Sequence, residues 1–153
     1  MKFRLIVVGK PRDQALAAAT AAYELRSARY WPIEVVEIRD ESASGKSPDA
    51  VRRRDAERII AACGAATLVA CDERGAAMRS EAFARWLQQR RERAQDVAFA
   101  IGGAFGLDDA VREHAGTVLA LAPWTLSHEL ARLVLAEQLY RAGTIVRGEP
   151  YHK

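Results

Sequence analysis

The sequence predicts an α/β protein: a mostly parallel sheet with helices on both faces. Two observations carry this. Five short apolar runs, at residues 3–8, 33–38, 67–71, 97–101 and 117–121, have the composition and length of buried strands. Each is separated from the next by a stretch that reads as helix, and strands alternating with helices make parallel crossovers.

Taken in order, the first strand leads through Gly9, Lys10 and Pro11 into an alanine-rich helix over 13–27. After the second strand, residues 39–47 carry Asp40, Glu41, Ser42, Ser44 and Gly45 with almost nothing apolar, the composition of a mobile loop. Neither side of that loop has enough chain for a comparable unit, so the 153 residues read as a single domain with one core. Ser47 and Pro48 make an N-cap and first-turn pair for a helix to 62. Arg52, Arg53 and Arg54 on its first turns read as a solvated face, or else as RNA phosphate contacts. Asp72-Glu73-Arg74-Gly75 turns out of the third strand, and Ser80 caps a helix to 93. The fourth strand runs into Gly102-Gly103-Ala104-Phe105-Gly106-Leu107, followed by a short helix from Asp108 and the fifth strand.

The last helix, 127–142, opens on Ser127 as N-cap with Glu129 near the positive end of the dipole, and Gly143 can close it. Leu130, Leu133, Val134, Leu135, Leu139 and Tyr140 cover most of its circumference, which places it in a core or a subunit interface. Glu137 and Arg141 stand four apart with the acid first, the favourable order for an ion pair. They read as a structural salt bridge, or as an acid and an arginine held at a dry site. Tyr151, His152 and Lys153 follow Pro150, an aromatic ring, an imidazole and a cation at the end of the chain.

A net charge of +3 and a pI near 9.1 permit nucleic-acid contact without demanding it. Cys63 and Cys71 form no C-x-x-C pair, and His114, His128 and His152 lie too far apart for a zinc motif, so neither a metal nor a disulfide is expected. No leader and no apolar run of the ~20 residues needed to span a bilayer is evident, so the chain reads as soluble and cytoplasmic, with no membrane partner. In an open parallel sheet, ligands bind beyond the carboxyl ends of strands. That rule selects loops 71–75, 102–107 and 121–126. The glycine spacing fits neither a dinucleotide fingerprint nor a Walker-type phosphate loop.

Several motifs in this order resemble one family. Ile101-Gly102-Gly103 with Gly106-Leu107, the run Thr125-Leu126-x-His128-x-Leu130-x-Arg132, Glu137 through Ala142, and the terminal Pro150-Tyr151-His152-Lys153 are similar to the bacterial large-subunit rRNA pseudouridine N3-methyltransferases of the SPOUT superfamily. Val8-Gly9-Lys10, Glu57-Arg58-Ile59 and Asp72-Glu73-Arg74-Gly75 fall where that family has them, so the likeness covers the whole chain. The resemblance implies a C-terminal trefoil knot, contrary to the usual rule against threaded connections. It implies S-adenosylmethionine bound at Cys71, Gly102, Gly103 and Leu121, Ala122, Pro123, Trp124, Thr125 and Leu126, with no metal. It further implies a homodimer in which one subunit's tail completes the other's site. The substrate would be a loop of 23S rRNA, in an assembled ribosome because so short a chain has little room for an RNA-binding domain.

The implied chemistry needs a base, because an imide nitrogen becomes a good nucleophile only as its proton leaves. His152 is the candidate base, Arg141 or Lys153 the stabiliser of the imidate charge, Tyr151 a stacking or hydrogen-bonding partner, and Glu137 the partner of Arg141. Cys71 stands where the family has leucine, Ala122 where serine is common and Ser127 where proline is frequent, and Ala104-Phe105 fills a variable pair. Backbone contacts survive these changes. Two other functions fit the same fold: a non-catalytic ribosome- or RNA-binding module, and a related methyltransferase acting on tRNA.

Overall fold

The five apolar runs pair into one all-parallel sheet in a computed structural model that describes residues 1–153. The strands are β1 (Phe3–Val8), β2 (Ile33–Ile38), β3 (Thr67–Ala77), β4 (Val97–Ile101) and β5 (Thr117–Ala120), in the order β2-β1-β4-β3-β5. Central β4, Val-Ala-Phe-Ala-Ile, has no polar alternation and is buried along its length, as a strand covered on both faces must be. The helices are α1 (Gln14–Ser27), α2 (Pro48–Cys63), α3 (Ser80–Glu92), α4 (Asp109–His114) and α5 (His128–Arg147).

Side chains alternate across each strand, and the two faces fill two separate cores. Phe3, Leu5, Val7, Phe99 and Ile101 point toward Trp31, Phe83 and Leu87 and toward Leu135 and Leu139 of α5. Ile6, Val8, Ala98 and Ala100 point the other way, onto Ala56, Ile59 and Cys63 of α2 and Val111 of α4. Helices therefore lie on both faces, as the sequence predicts. No helix is long and apolar enough to cross a membrane.

α5 is held by polar bonds as well as apolar contact. Trp31 Nε1 donates to the Leu139 carbonyl at 2.8 Å, and the Ser27 hydroxyl to that of Ala136 at 2.9 Å. Arg132, 8 % exposed, donates through Nε and Nη2 to Glu24 of α1 at 2.7 and 3.2 Å and through Nη1 to Glu37 of β2 at 3.3 Å. A guanidinium out of water needs such partners.

Three boundaries differ from the sequence reading. α5 does not stop at Gly143 but continues to Arg147, where Gly148 takes the left-handed conformation of a helix cap at φ 67°. Gly143 serves packing instead. A Cβ there would lie 2.6 Å from Cβ and Cδ2 of Tyr30, so the α5 backbone passes directly against that ring. Ser80 is the first residue of α3 rather than its cap, and its hydroxyl donates to Gln138 Oε1 at 2.8 Å. Finally, β3 does not end at Cys71.

Gly143→Ala tests the packing of α5. Alanine gains about 1 kcal/mol of helix propensity, but overpacking at a fixed ring costs more, on the order of 1–3 kcal/mol and upward at so short an approach. The net expectation is a lower urea midpoint at unchanged slope, whereas a raised midpoint would mean that Tyr30 moves aside freely.

Candidate active site

The carboxyl edge of the sheet is shaped by an excursion in β3. Cys71 and Ala76 both stand opposite Leu119 of β5, so residues 72–75 are extra and leave the ladder before the strand resumes to Ala77. The sequence reading took them as a turn leaving the sheet for good. The return is possible because Gly75 has no side chain, as a Cβ there would sit 2.8 Å from the Leu119 nitrogen and closer still to the Val118 carbonyl. Asp72 then accepts from Arg112 Nη1 at 2.8 Å, and the same Nη1 reaches the Leu107 carbonyl at 2.9 Å. The Thr125 hydroxyl donates to Glu73. The excursion is thereby tied to the glycine loop on one side and to the loop after β5 on the other.

The glycine loop is a tight turn, with Gly106 N donating to the Gly103 carbonyl at 3.0 Å. At Gly102 a Cβ would press on the backbone of Gly106 and Leu107 at 2.7–2.9 Å. Between these loops and the first turn of α5 lies a cavity of about 610 Å³, within the range of small-molecule and cofactor sites. Cys71, Gly102, Gly103, Leu121, Ala122, Trp124, Thr125 and Leu126 line it, whereas Pro123 does not. Residues 72–74, 101, 104–109 and 112 line it too, and Asp49, Arg52, His128 and Ala131, which the sequence rule did not select, reach it from α2 and α5 rather than from strand ends. Of the three arginines on the first turns of α2, Arg52 pairs with Asp49 and Arg54 with Glu57. Burial pushes the Cys71 thiol up to about 12, so it is a neutral part of the wall and not a nucleophile.

Behind the glycine loop stands Asp55 of α2, 4 % exposed, with Oδ1 lacking any partner. Its Oδ2 lies 3.8 Å from where a Gly103 Cβ would be. Burial pushes the carboxyl up to about 6, with Asp40 and Glu41 adding to the rise and Arg58 opposing it. Nothing in the spacing of the sequence singled it out.

The tail forms a second constellation. Glu137 Oε1 accepts from Arg141 Nε at 3.0 Å, Arg141 Nη2 at 2.7 Å and the Tyr151 hydroxyl at 3.0 Å, while Oε2 accepts from Gln138 at 2.8 Å. A carboxylate with four donors is a scaffold for the arginine and the tyrosine. Tyr151 stands edge-on to Tyr140 at 4.7 Å, carries the Arg141 guanidinium over its ring, and meets the Tyr23 hydroxyl at 3.4 Å. Burial, with hydrogen bonds to Tyr23 and Glu137, holds its phenol well above the usual range. His152 Nδ1 lies 3.1 Å from Arg141 Nη1 and Nε2 3.1 Å from Glu81 Oε1 of α3. Lys153 is exposed and outside this network. Glu81 could not be found by spacing, since it lies 71 residues from His152 in sequence.

Within one chain the two constellations share no residue. The cavity reaches along α5 as far as Ala131, and Arg141 lies ten positions on, about 15 Å at the helical rise. No group of three or more His, Cys, Asp or Glu side chains is placed to hold a metal ion, and both thiols are free.

A parallel sheet with a glycine-edged cavity beyond its strand ends defines an α/β protein of the small-cofactor-binding class. The chain belongs to the SPOUT methyltransferase family, whose model, described as "Predicted SPOUT methyltransferase", matches residues 1–152. It is similar to the ribosomal RNA large subunit methyltransferase H of Gemmatimonas aurantiaca, at 58 % identity over 100 % of both chains. The same-named proteins of Anaeromyxobacter sp. and Geobacter sulfurreducens are 45 % and 40 % identical over 100 % and 99 % of both chains. Among solved structures, TrmJ from Z. mobilis ZM4 superposes with a TM-score of 0.51 at 16 % identity, covering 99 % of this chain and 72 % of that one. That likeness is one of fold.

Asp55 gives a pH-dependent expectation. Its folded pKa is raised above the unfolded one, so between roughly pH 4 and pH 6 the folded chain binds the extra proton and stability falls as pH rises. Above that window the buried charge is a constant penalty. Asp55→Asn should therefore stabilise the protein at about pH 8, on the order of 1 kcal/mol, and have little effect near pH 4. Denaturant midpoints at the two pH values check this, and an equal effect at both would refute it.

Proposed function

We propose that this chain transfers a methyl group from S-adenosylmethionine to N3 of a pseudouridine in 23S rRNA, on the ribosome. It acts as a homodimer in which each tail completes the other subunit's site. The observation that carries this reading is the split between a cofactor-sized cavity and a chemically dense tail on opposite stretches of one rigid helix. Family membership supports S-adenosylmethionine as the methyl donor, and the relatives' name supports large-subunit rRNA as the substrate. A second copy is supported by the apolar strip left open on α5, where Leu130 is 40 % exposed and Leu133 and Val134 are half-buried. The reading takes residues 1–153 as one domain, knotted in its C-terminal part as in its family, and at work in the cytoplasm.

The cavity fits such a cofactor. Its edge at Gly102 has no room for a side chain, and its wall combines the glycine loop and residues 121–126 with charged side chains, among them Arg52, Asp72, Arg74 and Arg112, that can meet the ammonium and carboxylate of such a cofactor. Cys71, Gly102, Gly103, Leu121, Ala122, Trp124, Thr125 and Leu126 would hold it, with Pro123 shaping the loop. When bound, it supplies an electrophilic methyl carried on a sulfonium. The rest falls to the tail. His152 takes the imide proton on Nδ1. Arg141 Nη1, which otherwise donates to that nitrogen, turns to the charge that develops on the base, while Glu137 keeps the other two guanidinium nitrogens in place. Tyr151 anchors the tail through Glu137 and Tyr140, and exposed Lys153 meets the RNA.

The test is methyl transfer to ribosomes lacking the modification, read by mass spectrometry of rRNA nucleosides. Wild type should methylate pseudouridine in a cofactor-dependent way, and His152→Ala should lower the rate about a hundredfold or more with cofactor affinity unchanged by calorimetry. Transfer to tRNA instead of ribosomes, or full activity of His152→Ala, would overturn the corresponding part of the reading.

A further inference from the structure

Resting on that reading of His152, we propose that Glu81 is a positioning residue: once Arg141 turns to the substrate, it keeps the proton on one imidazole nitrogen and so leaves the other free to take the substrate's. The argument starts from Arg141. A guanidinium has only donors, so the nitrogen it faces at 3.1 Å, Nδ1, must present a lone pair. In the neutral ring the proton is then on Nε2. That N–H points at Glu81 Oε1, also at 3.1 Å, and an ionised carboxylate only accepts. The ring is thus pinned from both edges, by a donor on α5 and an acceptor on α3, and the tail itself supplies neither.

The two contacts are not equivalent during the reaction. Once Arg141 Nη1 leaves Nδ1 for the substrate, Glu81 is the one remaining polar contact that keeps the ring's orientation and tautomer. When Nδ1 has taken the imide proton, the same carboxylate faces the new imidazolium and stabilises its charge, the part played by the buried acid of a Ser-His-Asp triad. Glu81 is suited to this. Its own backbone N–H, and then the His152 contact, hold its carboxyl below the usual range, so it stays an ionised acceptor. It is fixed in the first turn of α3, whose Ser80 is in turn bonded to Gln138 beside Glu137. The acid is therefore wired to the same scaffold that holds Arg141.

The experiment uses the full-length protein with nitrogen-15 histidine, and reads the His152 ring by NMR at about pH 8.5, where an ordinary imidazole is neutral. Wild type should show the Nε2–H form. Arg141→Leu removes the donor at Nδ1, as the turn of Arg141 to the substrate does, and should still show the Nε2–H form. In that background Glu81→Gln keeps an acceptor oxygen and should retain the form, while Glu81→Ala should populate both tautomers. Glu81→Gln alone should reduce turnover. In Glu81→Ala, turnover on ribosomes should fall roughly tenfold or more, with cofactor affinity unchanged and a melting temperature close to that of Glu81→Gln. The proposal is overturned if Glu81→Ala in the Arg141→Leu background keeps the Nε2–H form, if Arg141→Leu alone already loses that form, or if turnover falls only in step with melting temperature and equally in both single variants. The tautomer is read without catalysis. Failure of His152 as the base would show separately, as full activity of His152→Ala, and would leave the NMR result to decide Glu81.

Discussion

Arg132 is a charge taken out of water, and the carboxylates of Glu24 and Glu37 that meet it dictate where α5 lies. Breaking a buried ion cluster by removing one partner is costly, so the three groups fix the register of α5 against α1 and β2 in a way that apolar contact alone would not. Trp31 and Ser27 reinforce the placement by bonding to carbonyls one turn apart on the same helix. The two ends of α5 then inherit their positions. His128 and Ala131 meet the cavity, while Glu137 and Arg141 gather the tail.

The cavity depends on a different constraint, close approach of main chain to main chain. Gly75 lies against β5 and Gly102 against the turn at Gly106, and neither position admits a side chain. The β3 excursion is possible because Leu119 pairs on both sides of it, and Arg112 and Thr125 then lock its loop to the neighbouring ones. The rim of the site is thus made of backbone held from three directions.

Much of the fold was legible because strands covered on both faces leave continuous apolar runs, and because Asp13, Ser47 and Ser127 cap their helices through side-chain bonds. The length of α5 was not. Gly143 looks like a helix end in sequence, and only the Tyr30 ring explains a glycine inside the helix. The β3 excursion was hidden for a similar reason, since Asp72 through Gly75 has the composition of a turn and its return depends on β5, more than forty residues on. At the site, the cavity loops followed from the rule for parallel sheets, and the roles of the tail came from the family resemblance. Asp55 and Glu81 were invisible, because an isolated acid carries no signal until its long-range neighbours are known.

The central claim is that cavity and tail, kept apart in one chain by the length of α5, form one site between two chains. Complementation tests it most directly. Gly102→Ala should disable the cavity and His152→Ala the tail, each leaving a folded dimer inactive on its own. After unfolding and refolding together, half of the dimers are mixed and one of the two sites in each is intact, so activity should return to about a quarter of wild type. A mixture that stays as inactive as its components, with mixed dimers demonstrated by differential tagging, would contradict the claim and return each site to a single chain.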